Sequence, residues 1–146
     1  MDEPEAHRKL FTVEEARALI PVIEPQVERL LDTFREIRTE IEAATSQTGL
    51  EAENPDLAGH LQARGVVPRL FERVKELVES IHGHGCVVNG PEAGLVDFPC
   101  LLGSEIVFLC WKYGEPTVGH WHRIPDGFAG RRPLLDESDG AGSPVH

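Results

Sequence analysis

The chain has 146 residues, a formal net charge of −11 and a hydrophobic share of 40%, which suits one domain with a core of its own and no need of a disulfide or metal staple. No apolar run approaches the roughly 18 residues of a membrane span, the acidic start Met1-Asp2-Glu3-Pro4-Glu5 lacks the apolar stretch of a secretory signal, and no basic stripe marks a nucleic-acid or anionic-membrane partner. Cys86, Cys100 and Cys110 are an odd count without a C-x-x-C pair, against a disulfide framework or a thiolate-rich zinc site, and the expected compartment is the cytoplasm.

Residues 1–8 are polar and expected to be disordered, and a single domain is expected over 9–135. Thr12 followed three residues on by Glu15 forms a capping-box pattern, with Phe11 placed to staple the helix start. Ala16, Ile20, Ile23, Val27, Leu30, Phe34, Ile37, Ile41 and Ala44 then alternate by four and three, a heptad-like seam. Pro21 and Pro25 interrupt it and predict a kink, or a short helix followed by a new one. Gly49 and Asn54-Pro55-Asp56 supply a turn. Leu57, Leu61, Val67, Leu70, Val74, Leu77 and Ile81 form a second seam, disturbed at Gly65-Val66-Val67-Pro68 and ended by Gly83 and Gly85. Two seams of similar length joined by a short turn must bury their faces on each other, so residues 9–85 read as a long, kinked antiparallel helical hairpin.

From residue 86 the pattern becomes that of strands. Cys86-Val87-Val88 is short and partly β-branched, and Asn89-Gly90 reads as a turn. Leu95 to Leu102 and Glu105 to Trp111 read as strands joined by Gly103-Ser104, a two-residue loop with glycine first. A further strand spans Val118 to Arg123. The 86–135 region is thus a small antiparallel β-sheet, the fold class is α+β, and the polar Gly/Ser-rich stretch 136–146 reads as a disordered tail.

The tight hairpin fixes a register in which Asp97 faces Cys110 and Phe98 faces Leu109. Alternation puts Val96, Phe98, Cys100, Val107, Leu109 and Trp111 on one face, to pack on the helices, and Asp97, Pro99, Ile106, Phe108 and Cys110 on the other. Asp97 lies in the apolar run Leu95-Val96-Asp97-Phe98-Pro99 and needs a partner. That partner is a metal or a reacting group, or, on the plainer reading, a turn amide or an arginine.

His120-Trp121-His122 places two histidines at i and i+2, the spacing by which a strand offers two nitrogens to one metal. Glu115, Asp97 and Cys110 are possible completing ligands, but the loop from Tyr113 to Pro116 does not settle which face the histidines share. Structural histidines are commoner than such sites. The run from Gly114 through His120-x-His122 to Asp126 mimics half of a cupin metal motif, but too little chain follows to close a barrel. His82 and His84 fit a favourable contact with a helix C-terminus. The cysteines read as small hydrophobes. Arg131-Arg132 suits a carboxylate or phosphate, or a partner in Asp126 or Asp97. No phosphate-binding loop, dinucleotide fingerprint, Gly-x-Ser-x-Gly or His-Glu-x-x-His sequence is present.

Lys9-Leu10-Phe11-Thr12, Glu15-Ala16, Leu19-Ile20-Pro21, Gly94-Leu95-Val96-Asp97-Phe98-Pro99, Leu109-Cys110-Trp111, Gly114-Glu115, Trp121-His122 and Gly127-Phe128-Ala129-Gly130-Arg131 together resemble the bacterial domain-of-unknown-function family 2203, over residues 9 to 134. The resemblance implies no activity. It matches His122 rather than His120 and points to a cluster of Asp97, Cys110, Trp111, Glu115, His122 and Arg131 at strand ends and turns.

The leading expectation is a small binding or accessory module whose polar cluster takes a metal ion or a small anionic ligand, with the hairpin free to dimerise. Two rivals are a small metal-dependent hydrolase using Asp97, Glu115 and His122, and a structural protein acting through the hairpin. Any metal is expected to be zinc, iron or manganese, held by His122 with Glu115 or Asp97 and with His120 optional.

Overall fold

A computed structural model describes residues 9–134; the stretches expected to be disordered, 1–8 and 136–146, lie outside the described residues. Helix α1 (Val13–Thr48) is followed by α2 (Pro55–Arg64) and α3 (Val66–His82). The strands β1 (Val87–Gly90), β2 (Leu95–Leu102), β3 (Glu105–Lys112), β4 (His120–Arg123) and β5 (Arg132–Pro133) then form one antiparallel sheet in chain order. Among the described residues no helix is long and apolar enough to cross a membrane.

The capping box forms as its spacing predicts. Thr12 accepts from the Glu15 amide at 3.1 Å, and Glu15 accepts from the Thr12 amide at 3.0 Å. Thr12→Ala is expected to cost about 1 kcal/mol, read as a lower urea midpoint at unchanged slope; an unshifted midpoint would show that tertiary contacts alone hold this end.

The alternative of two successive helices across Pro21 and Pro25 is overturned, because α1 runs through both. Each proline is exposed and they stand four residues apart, so water can solvate the carbonyls that lose their hydrogen bonds. The buried seam around them, Ile20, Ile23, Val27 and Leu30, keeps the helix continuous. Thr33 rather than Phe34 takes the fully buried position, its hydroxyl donating to the Arg29 carbonyl at 2.7 Å. The second helical arm is two helices, separated where Gly65 adopts a left-handed φ of 81°. Gln26 bonds Ser80, Glu36 pairs with Arg73, and Arg64 bonds Gln47. As one number rises the other falls, so the arms run antiparallel.

The hairpin and the sheet share one core. Leu30, Leu77 and Ile81 join Val96, Phe98, Leu109, Trp111 and Trp121 in a single apolar cluster. Farther out, Ile37, Val67 and Leu70 form a second cluster between the helices alone. The β2–β3 register is as the Gly103-Ser104 loop dictates, with Asp97 opposite Cys110 and Leu102 opposite Glu105.

Three features differ from the sequence reading. Asn89-Gly90 is not the turn itself: the chain reverses through a single 3₁₀ turn at Pro91–Ala93, and Asn89 lies at a register irregularity in β1. Gly94 closes that reversal with a φ of 71°, and an added Cβ would come within 2.9 Å of Tyr113 Cβ. The fourth strand begins at His120, not Val118, and a short fifth strand follows two 3₁₀ turns.

Candidate functional site

The sheet has an inner face against the helices and an outer face bearing Asp97, Cys110, His120 and His122. Strand alternation and the register fix this: Cys110 stands opposite both Asp97 and His120, and His122 lies two residues beyond His120. The face of the histidines, open at the level of sequence, is therefore that of Asp97. Asp97 and His122 are each 1% exposed, as is Cys110. One ligand-type atom from each of these three residues lies within 4.8 Å of the others.

The protons of this group follow from its hydrogen bonds. His122 Nδ1 stands 2.8 Å from the Arg123 carbonyl oxygen. A carbonyl only accepts, so Nδ1 carries hydrogen, and the lone pair of a neutral ring lies at Nε2. Nε2 faces Asp97 Oδ1 at 3.3 Å. The other carboxylate oxygen, Oδ2, accepts from the Asn89 side-chain amide at 2.6 Å. Burial pushes the Asp97 carboxyl above its ordinary range, against the pull of Asn89, His122 and Cys110. Burial, and next the Asp97 charge, push the Cys110 thiol up to about 12. That is opposite to the shift that makes a cysteine nucleophilic. Phe108 meets the His122 ring edge to face, with centroids 5.6 Å apart, and limits its rotation.

The remaining expected members fall elsewhere. Trp111 is fully buried on the inner face, and its indole N–H donates to the Glu115 carbonyl at 3.0 Å. Alternation along β3 turns it away from Cys110. Glu115 is outside the three-residue group, and Arg131 grips it through two bonds of 2.9 Å. Burial would raise the Glu115 carboxyl, but Arg131 and the Lys112 amide override it and hold it below its ordinary range. The partner of Arg131 is thus Glu115 rather than Asp126 or Asp97. Arg131 also stacks on Phe128, 4.5 Å from the ring centroid, and reaches the Cys110 carbonyl at 3.5 Å. It braces the edge of the site. His120 is only partly buried and outside the group, though its Nδ1 is buried without a hydrogen-bond partner.

Asn89 is the residue that sequence reasoning missed. Its Asn-Gly context signals a turn, and the irregularity that turns it toward Asp97 has no local signature.

Fold and site together define a two-part α+β protein, with a helical hairpin backing a small sheet whose outer face buries a carboxylate, a thiol and an imidazole. The family model described as "Uncharacterized conserved protein (DUF2203)" matches residues 9–134, and the chain belongs to that family. No curated protein and no solved structure matches it.

Proposed function

We propose that this protein is a small metal-binding module in which Asp97 Oδ1, Cys110 Sγ and His122 Nε2 take one divalent transition-metal ion. The observation that carries the reading is the orientation of His122. With Nδ1–H committed to the Arg123 carbonyl, a neutral ring and an ionised Asp97 face each other acceptor to acceptor at 3.3 Å. Only a proton or a cation between them makes that arrangement favourable. A backbone carbonyl bound to the far nitrogen is also the usual support of a metal-ligating histidine.

The donor set narrows the ion. A thiolate, an imidazole and one carboxylate oxygen suit zinc or ferrous iron, whereas calcium and magnesium favour all-oxygen shells. Binding displaces the thiol proton of Cys110. The burial of all three residues favours holding an ion over turning over a substrate, because a catalytic centre must admit one.

The test is elemental analysis of untagged protein, wild type beside His122→Ala. The expected result is near-stoichiometric zinc or iron in the wild type and its loss in the variant. Sub-stoichiometric metal in the wild type, or equal metal in both, would reduce the group to a hydrogen-bonded structural cluster.

A further inference from the structure

The metal reading leaves open what fixes the Asp97 carboxylate, and β1 supplies an answer. In the β1–β2 ladder Val88 pairs with Val96 and Gly90 pairs with Leu95, so two β1 steps oppose one β2 step and Asn89 has no partner across the strand. Such a bulge bends the strand and re-aims a side chain, and bulges recur beside functional sites. Here the Asn89 amide reaches Asp97 Oδ2 at 2.6 Å, shorter than either contact of the His122 ring, at 2.8 and 3.3 Å. The residue is itself exposed and contributes nothing to the apolar core.

Resting on the metal reading above, we infer that Asn89 is the positioning residue of the site: it ties Asp97 Oδ2 and leaves Oδ1 turned to His122, and thereby favours ions content with a single carboxylate oxygen. An ion approaching Oδ1 meets a carboxylate whose second oxygen is already engaged. Bidentate ligation, which larger oxygen-seeking ions use to fill shells of six to eight, must compete for Oδ2 with that bond, which already takes one of its two lone pairs and fixes the carboxylate plane. A four-coordinate zinc ion loses nothing by it. The bulge thus turns a carboxylate, a ligand that hard ions such as calcium, magnesium and manganese favour, into one that discriminates against wide oxygen shells. Asn89 touches no ion in this scheme and acts wholly through Asp97.

The experiment is competitive binding of zinc and manganese to the full chain, wild type beside Asn89→Ala and Asn89→Leu. Leucine keeps the shape of asparagine and lacks its donor, without adding a charge. Expected is zinc binding weaker by about 10–100-fold in both variants, the usual effect of losing a group that supports a ligand. The preference for zinc over manganese should also narrow. With cobalt as a spectroscopic stand-in, the intense visible bands of a four-coordinate ion should weaken in the variants as the freed oxygen raises the coordination number. A purely structural role for Asn89 would lower thermal stability but leave the metal preference and the cobalt spectrum unchanged, and that result overturns the inference. Tight zinc binding that is equal in all three proteins also overturns it, while leaving the metal site standing. A wild type that takes up no ion overturns the metal reading and this inference together.

Discussion

Leu30→Ala should destabilise the protein by about 2–5 kcal/mol, the range for deleting a fully buried leucine side chain. Leu30 is 0% exposed and sits where the hairpin meets the sheet, in one cluster with Leu77, Phe98 and Trp111. Both layers lose contacts there, and neither can close the space without moving a strand or a helix. Leu70 occupies the smaller cluster between the helices alone, and Phe34 is only partly buried. Alanine at those positions should therefore cost less, with Leu77, which belongs to the larger cluster but is less buried than Leu30, between them and Leu30. The ranking comes from chemical denaturation of the four variants at constant slope. Losses near zero at all four would refute the seam, and equal losses would refute the division into two clusters.

Much of this core is legible in the sequence because two periodicities are clean. The four-three spacing from Ala16 to Ala44 picks out residues that are buried or partly buried in α1. The alternation through Gly103-Ser104 places every residue of β2 against its true partner in β3. Asp97 opposite Cys110 was readable for that reason alone. The side of the sheet that His122 occupies was not readable. Seven residues separate β3 from β4, and their path is set by bonds invisible to periodicity. Trp111 bonds the Glu115 carbonyl, the Lys112 amide bonds the Glu115 carboxylate, and the Leu134 amide bonds the Gly119 carbonyl. Read as a helix break, the prolines of α1 mislead in the opposite direction. The local penalty is real, but a buried stripe on the far side of the helix outweighs it once both rings face water. Trp111 shows two signals in conflict. Alternation assigns it to the core, the family resemblance draws it toward the polar cluster, and the structure follows alternation.

Asp97→Leu and His122→Phe should each be strongly destabilising alone and much less than additive together. Both side chains of this pair are 1% exposed. Leucine at 97 strands an imidazole nitrogen in an apolar interior and leaves the Asn89 amide without its acceptor. Phenylalanine at 122 keeps the edge-to-face contact with Phe108 but leaves the carboxylate with only Asn89 and the Cys110 thiol. Removing one partner of a buried pair costs about 3–5 kcal/mol, because the survivor is left uncompensated, while replacing both with apolar groups of similar size is often close to neutral. The coupling between the two substitutions should therefore exceed the range of about 0.5–3 kcal/mol usual for residues in contact. The cycle is run by urea denaturation with a chelator present, so that bound metal contributes nothing. Additive losses would mean that the 3.3 Å approach of Nε2 to Oδ1 carries no energy, and would remove the physical basis for reading these residues as one site. A double variant that is stable and folded would show that the sheet does not need this polar pair to stand.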